Sequence, residues 1–126
     1  MGIFSVLKRK PNAKLILSKN EKIQECLIAV KEILVTNDHP AQAEVVQGLI
    51  EALSEKDVKK FLANFHTVDM WGGSGSVWEV GFNDNETDYK YMKAMIWLIY
   101  ALEEAKITNC KMRSVKKYFL KQLPLK

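Results

Sequence analysis

The residues with the most distinctive chemistry lie between two tryptophans, where the sequence is Gly72-Gly73-Ser74-Gly75-Ser76. Consecutive backbone amides with positive φ can bind an anion. A P-loop, however, would continue with Lys and a helix, whereas Val77-Trp78 follows here, and the preceding strand of a dinucleotide fingerprint is lacking. A nucleophile elbow would need Gly where Ser76 stands. The pattern favours a tight structural turn that lets Trp71 and Trp78 reach the core, with a partner-contact loop and a small-ligand site as alternatives.

Residue types that commonly bind metals or act as nucleophiles are few and far apart. His39 and His66 do not have the spacing of a metal-binding pair, so we expect no metal site. His66 is expected at a helix end, where the helix dipole would favour the cationic imidazole. Cys26 falls on an apolar stripe and is expected in the core. With Cys110 as the only other cysteine, we expect two reduced thiols rather than a disulfide framework.

Two carboxylates bracket the glycine-rich segment. Asp69 and Glu79 could form a pair suited to acid–base chemistry, but no second catalytic group accompanies them. We therefore expect a protein that is not an enzyme and has no catalytic residues, metal or cofactor. An enzyme with its active site in this loop remains a third hypothesis, which would require a pocket over Ser74 with a base nearby.

The net charge of +4 is distributed very unevenly along the 126 residues. Residues 1–19 contain five basic residues and no acid, and residues 106–126 contain seven basic residues and no acid. Residues 20–105 contain all fifteen acids against seven lysines, a net charge of −8. The basic ends could bind nucleic acid, whereas the acidic middle could attract a basic protein partner.

The first elements expected are three amphipathic helices. Ile23, Leu27, Val30 and Leu34 recur at helical spacing, with Asn20 as a plausible N-cap residue. Pro40 suits the first turn of a second helix. Ser54, followed three residues later by Asp57, resembles a capping box that opens a shorter third helix.

After the glycine-rich segment, a long helix capped by Asn83 or Asp84 is expected. Its apolar residues cover so much of its circumference that it should be central and mostly buried. The residues expected inward are Tyr89, Met92, Met95, Ile96, Ile99, Tyr100 and Leu102. A last helix should present Met112, Val115 and Phe119 to the core and its lysines to water.

The fold class predicted from these elements is all-α. We expect residues 1–126 to form a single domain of about five helices. Its parts would be a basic N-terminal segment (1–19), an irregular Gly/Trp loop with or without a short hairpin (66–84), and a basic C-terminal helix (111–126). The longest apolar run, Ala94–Leu102, is nine residues against the ~20 that cross a bilayer, and no targeting signal is evident. We expect a soluble cytoplasmic protein without membrane contacts.

The glycine-rich segment also carries a family resemblance. A Phe-rich helix end, then residues 70–80, then an aromatic-rich long helix, resembles a group of small helical bacterial proteins with an aromatic-Gly-Gly-x-Gly-Ser motif. Some of these are immunity proteins encoded beside polymorphic or contact-dependent growth-inhibition toxins. The resemblance covers roughly residues 20–105, and only the central dozen residues are specific. It implies a cytosolic inhibitor, monomeric alone, that binds its toxin domain one-to-one.

The function expected from the sequence is thus neutralisation of a toxin, a nuclease domain, by occlusion. An acidic patch around the loop would complement the basic surface of a nuclease. The residues expected to contact the partner are Asp69, Trp71, Glu79, Asp84, Glu86 and Asp88. The alternative is a nucleic-acid-associated accessory protein that uses the basic termini, with Tyr118 and Phe119 stacking on bases beside Lys116-Lys117.

Overall fold

The computed structural model describes residues 12–123, and helices make up 74% of this part of the chain. No strand occurs within residues 12–123, so the predicted all-α class is confirmed. The seven helices of this part are α1 (Ala13–Ser18), α2 (Asn20–Thr36), α3 (Pro40–Ser54), α4 (Val58–Phe65), α5 (Val68–Trp71), α6 (Asn85–Glu104) and α7 (Cys110–Gln122).

The predicted count of about five helices is too low by two for the described residues. The five long helices match α2, α3, α4, α6 and α7, and the additional ones are the short α1 and α5. Helix α5 forms inside the 66–84 segment, where a hairpin had been an option, because the four residues from Val68 precede the first glycine. Residues 1–11 of the basic N-terminal segment and residues 124–126 of the basic C-terminal segment lie outside the described residues.

The core is one cluster of buried side chains to which all seven helices contribute. The apolar stripe of α2 that was predicted from its spacing is fully buried at Ile23, Leu27, Val30 and Leu34. Helix α2 packs against both α3 and α6, and α7 packs against α6. These contacts place the 66–84 segment between α4 and α6, at the end of the molecule where it can also reach α7.

The N-caps differ from two of the sequence predictions. Asn20 does not cap α2, because its side-chain amide donates to the Leu53 carbonyl (2.8 Å) and is buried. Ser54 is the last residue of α3, and Asp57 itself caps α4 by accepting from the Lys60 amide (3.1 Å). The predicted cap of α6 is confirmed at Asp84, whose carboxylate accepts from the Thr87 amide (2.7 Å).

Three helices end in a left-handed residue that is not glycine. Asp38, Lys56 and Lys106 follow α2, α3 and α6 with φ values of 64°, 60° and 63°. In each case the next amide donates to a carbonyl five residues earlier, as the Asp57 amide does to Ala52 (2.8 Å). This is the Schellman arrangement, which usually has glycine at the left-handed position.

Helix α6 is the central helix, as predicted, but its buried face is rotated from the one expected. Tyr91, Met95, Leu98 and Leu102, spaced by four, three and four residues, point inward. Tyr89 and Tyr100 were expected inward but are 37% and 41% exposed. The expected face included Tyr89 and Tyr100 and omitted Tyr91, but the helical period places Tyr89 and Tyr100 on the side opposite the buried residues.

Candidate functional site

The glycine-rich segment is a fixed turn held by its own backbone. The amides of Val77 and Trp78 donate to the carbonyls of Asp69 (2.8 Å) and Met70 (3.3 Å), which folds the segment back over α5. The Gly72 carbonyl accepts from the Trp78 indole N–H (2.6 Å) and from the Ser76 hydroxyl (3.0 Å). The turn is thereby closed by side chains from within the segment.

Two glycines are required by the geometry of this turn. A Cβ at Gly72 would lie 2.6 Å from the Val68 carbonyl oxygen, closer than any side chain allows. Gly75 has φ of +89°, and its carbonyl accepts from the Gln42 side chain of α3 (2.9 Å). Gly75 is the only glycine with positive φ within residues 12–123, so the segment does not form the run of left-handed amides expected of an anion-binding nest.

The two tryptophans that flank the turn have different environments. Trp71 is 3% exposed and packs edge-on against Phe65, with ring centroids 5.5 Å apart. It is a core residue, and its low exposure leaves little area for the partner contact expected from the sequence. Trp78 is half-buried, and its ring lies 5.8 Å from Tyr118 and 6.0 Å from Phe119 of α7. The turn therefore brings Trp71 into the core and Trp78 to its edge.

Tyr91 of α6 supports the turn from below. Its hydroxyl donates to the Val77 carbonyl (2.7 Å), and both residues are buried. Burial raises the pKa of the Tyr91 hydroxyl far above its ordinary value, so the group remains a neutral donor. This hydrogen bond attaches the turn to α6.

Beside the turn lies a groove that joins three parts of the fold. Its volume is about 400 Å³, and we call it the acidic groove. Loop residues 78–81, the first turns of α6 and the last turns of α7 form its walls. The side chains that matter for its chemistry are those of Trp78, Glu79, Asp88, Met92 and Tyr118.

The structure brings two of the predicted contact residues together in this groove. Glu79 is exposed, and Asp88 is half-buried, with one carboxylate oxygen accepting from the Phe82 amide (3.0 Å). Neither carboxylate has a cationic side chain within 4.0 Å among residues 12–123. The groove therefore presents negative charge beside exposed aromatic surface, since Tyr118 is 51% exposed.

The other three predicted acidic contacts lie outside the groove. Asp84 is the cap of α6, and hydrogen bonds from the Thr87 amide and hydroxyl lower the pKa of its carboxyl group. Glu86 is exposed and lies 4.0 Å from the Lys90 ammonium on the same helix. Asp69 is exposed on α5. They surround the turn without converging on one point.

For two groove residues, the role expected from the sequence differs from their place in the structure. Tyr118 had been considered only as a base-stacking residue, and Met92 only as core. The signal that could have identified Tyr118 is its position next to Phe119: adjacent residues on a helix face different directions, so one of the two had to leave the core.

The two histidines contact different neighbours. His66 Nδ1 lies 3.0 Å from the Asn109 side-chain nitrogen, and burial lowers the pKa of its imidazole. The predicted position of His66 at a helix end is confirmed, since it follows α4 directly, and loss of hydration there opposes the cationic form. His39 packs edge-on against Phe82, with ring centroids 5.2 Å apart. No group of three or more metal-binding side chains occurs in the described part of the chain.

The cysteines are free thiols in different surroundings. Cys26 is half-buried between α2 and α6, where its thiol lies 3.8 Å from the Trp97 carbonyl oxygen, and burial raises the pKa of the thiol. Cys110 is exposed at the start of α7. The Cys110 sulfur is contacted by the Arg113 guanidinium (3.6 Å).

A second pocket, of about 350 Å³, lies where α5 meets the start of α7. It is lined mainly by carbon atoms of His66, Val68, Trp71 and Asn109. The buried Trp71 indole N–H has no acceptor among residues 12–123. Cys110 and Lys111 also line this pocket.

Comparison with protein-family models, with curated proteins and with solved structures finds no match for this chain. Within residues 12–123, every helix is too short or too polar to span a bilayer.

Proposed function

We propose that this chain is an immunity-type protein that binds a cognate bacterial toxin domain, a nuclease, one-to-one in the cytoplasm. It blocks the toxin by occlusion and performs no catalysis of its own. The observation that supports the proposal is the acidic groove, which both Glu79 and Asp88 line without a cationic partner among the described residues.

The groove has the chemistry to hold an arginine or lysine side chain of the partner. A guanidinium group can form charge-assisted hydrogen bonds with carboxylates, and it also stacks favourably on aromatic rings. Both kinds of group line the groove, because Trp78 and Tyr118 flank the two carboxylates. A nuclease needs basic residues to hold the phosphates of its substrate, so an inhibitor that engages those residues blocks the substrate path.

The exposed acids around the groove would act at longer range. Asp69, Asp84 and Glu86 are exposed and would contribute negative potential. Such charges raise the rate of association with a basic partner more than they raise the final affinity. Trp71 has no part in the proposed interface because it is buried.

The direct test is co-purification with the product of the neighbouring reading frame. A tagged copy of this chain should retain that product at a one-to-one ratio, and co-expression should restore growth of cells that express the toxin domain. If the neighbouring product is neither retained nor neutralised, the immunity function is refuted.

The groove itself is tested by removing charge without removing volume. Glu79→Gln and Asp88→Asn should each weaken toxin binding about two- to fivefold, the effect of a partly exposed ion pair. Asp88→Asn keeps an oxygen that can accept from the Phe82 amide, so the loop should remain in place. Association rates measured by stopped-flow should fall and depend less on salt than those of the unaltered chain.

The matched control is Glu32→Gln, an equal change of charge on the exposed side of α2. Its rates should equal those of the unaltered chain. Equal losses for Glu79→Gln and Glu32→Gln would assign the effect to total charge and would remove the groove from the interface.

A further inference from the structure

A second surface, on the other side of α7, combines exposed aromatic rings with positive charge. We call it the aromatic–basic face and define it by Trp97 and Tyr100 of α6 and by Arg113, Lys116 and Lys117 of α7. Trp97 is 60% exposed, the highest exposure of any aromatic residue in the described chain, and Tyr100 lies one turn further along the same face of α6. None of these residues lines the acidic groove.

Lys116 holds the two helices of this face together. Its ammonium nitrogen lies 3.1 Å from both carboxylate oxygens of Glu103 and 5.2 Å from the centre of the Tyr100 ring. The ion pair and the cation–π contact therefore fix Tyr100 beside the cationic side of α7. Tyr100 and Lys116 are thereby held together, and Trp97 lies one turn before Tyr100 on the exposed side of α6.

The basic part of the face is a groove of about 490 Å³ along α7. Arg113, Lys116 and Lys117 line it against a single carboxylate, that of Glu103, so the groove is net positive. Arg113 and Lys117 are four residues apart, which places them just over one turn, ~6 Å, apart along the helix axis. Helix α7 contains five basic residues and no acid.

The chemistry of the face decides among polyanionic partners. Single-stranded nucleic acid presents both unstacked bases, which stack on aromatic rings, and phosphates, which pair with Arg and Lys. A duplex keeps its bases stacked on one another and would leave Trp97 without a role. An anionic membrane presents phosphates but no bases that could stack on Trp97 and Tyr100. The exposed carboxylate of Glu104, one turn beyond Tyr100 on α6, opposes both kinds of polyanion and does not distinguish them.

We propose that the aromatic–basic face binds single-stranded nucleic acid, with bases stacked on Trp97 and Tyr100 and phosphates placed along Arg113 and Lys117. This differs from the sequence-based alternative in its aromatic residues. Phe119 is buried, and Tyr118 lies edge-on to Trp78 in the acidic groove, so neither is available to stack on this face. The inference is independent of the immunity function, because it uses the opposite side of α7.

The test is fluorescence anisotropy of labelled oligo(dT) of roughly 12 nucleotides, within the range of single-strand site sizes. Affinity should fall steeply between about 50 and about 200 mM salt. Trp97→Ala should weaken binding about tenfold, whereas Trp97→Phe, which keeps a ring for stacking, should retain most of the affinity. Arg113→Gln and Lys117→Gln should each reduce the salt slope by about 0.7.

Matched controls use the other side of the molecule. Tyr118→Ala removes an exposed ring from the acidic groove, and Lys59→Gln removes an exposed cation from α4. Both should leave oligo(dT) binding unchanged. Because the altered side chains are exposed, far-UV circular dichroism should show the same helix content for every variant.

Four results would overturn the proposal. They are no binding at low salt, equal binding by Trp97→Ala and the unaltered chain, equal affinity for a blunt duplex of the same length, and binding to anionic phosphatidylserine vesicles without binding to oligo(dT). The acidic groove would be unaffected by any of them, since toxin binding is measured with Glu79 and Asp88 variants on a different surface.

Discussion

At the scale of single residues, Gly72 has the least freedom to change. Its carbonyl accepts two side-chain hydrogen bonds, and its Cα faces the Val68 carbonyl so closely that no Cβ fits. The neighbouring Gly73 has open space where a Cβ would be. The two glycines look equivalent in the sequence and differ only in what surrounds them.

This difference predicts that replacement by alanine destabilises the protein at Gly72 and has little effect at Gly73. Gly72→Ala should lower the free energy of unfolding by about 1–3 kcal/mol, because the backbone of α5 must move to admit the methyl group. Gly73→Ala should change it by less than about 0.5 kcal/mol. Urea denaturation of both variants measures this, and equal losses would show that the close approach at Gly72 does not constrain the turn.

His66 gives a pH dependence whose sign follows from its surroundings. Burial lowers its pKa in the folded state below the ordinary value of 6.5. Between the two pKa values the unfolded chain binds more protons than the folded chain, so stability rises with pH across this window. Stability should therefore be lost as the pH falls from about 7.5 to about 5, through the range where histidine titrates.

The measurement compares unfolding free energies of the unaltered chain and of His66→Gln over that pH range. The variant should show a shallower dependence, since it lacks the titrating group. A steeper or unchanged dependence in His66→Gln would contradict the assignment of the effect to His66.

At the scale of elements, the sequence predicted the long helices better than their caps and faces. The stripe of α2 was recognisable because Ile23, Leu27, Val30 and Leu34 have few polar interruptions. On α6, aromatic and aliphatic residues occur on all sides, so the pattern could not tell Tyr91 from Tyr89. Only packing against α2 and α7 decides which face turns inward. The acidic groove has the same origin, since residues 78–81, α6 and α7 meet only in the folded chain.

The residues with positive φ that follow three of the helices are a second feature that the sequence did not predict. Glycine is the usual residue at such an end, but this chain has Asp38, Lys56 and Lys106 there. A residue with a Cβ costs roughly 1–2 kcal/mol in the left-handed region. Helices α2, α3 and α6 therefore end where their packing ends, despite an unfavourable residue.

Relieving that cost should stabilise the protein. Lys56→Gly should raise the free energy of unfolding by about 0.5–1 kcal/mol, less than the full strain because glycine also loses more backbone entropy on folding. Lys56→Ala is the control, since it removes the same side chain and keeps the Cβ. Thermal unfolding of the pair should give a higher midpoint for glycine, and an equal or lower midpoint would argue against strain at this position.

At the scale of the whole molecule, charge is sorted between the two sides of one helix. Tyr118 faces the acidic groove, and Arg113 and Lys117 face the aromatic–basic face. The sequence showed that the C-terminal segment is basic and the middle acidic. It could not show that a negatively charged groove lies on one side of α7 and a positively charged groove on the other. Glu79 and Asp88 on the first side, and Glu103 on the second, are distant from α7 in the sequence and reach it only in the folded chain.

One core that includes side chains of all seven helices predicts cooperative unfolding. The single domain expected from the sequence should unfold in one transition, because no helix has a separate cluster to stabilise it alone. Far-UV and near-UV circular dichroism should give coincident urea transitions. Loss of near-UV signal well before loss of helix, or two separate steps, would contradict a single cooperative unit.

The three tryptophans occupy the core, the edge of the acidic groove and the aromatic–basic face, one in each. Their exposures are different enough for steady-state emission to separate them. Trp71, shielded at 3% exposure, should emit at short wavelength and resist iodide, whereas Trp97, at 60%, should emit at long wavelength and be quenched readily. Trp78 should respond to occupation of the groove beside it. The chain thus contains an intrinsic optical reporter for its folding and for each of its two surfaces, and no dye needs to be attached to observe them separately.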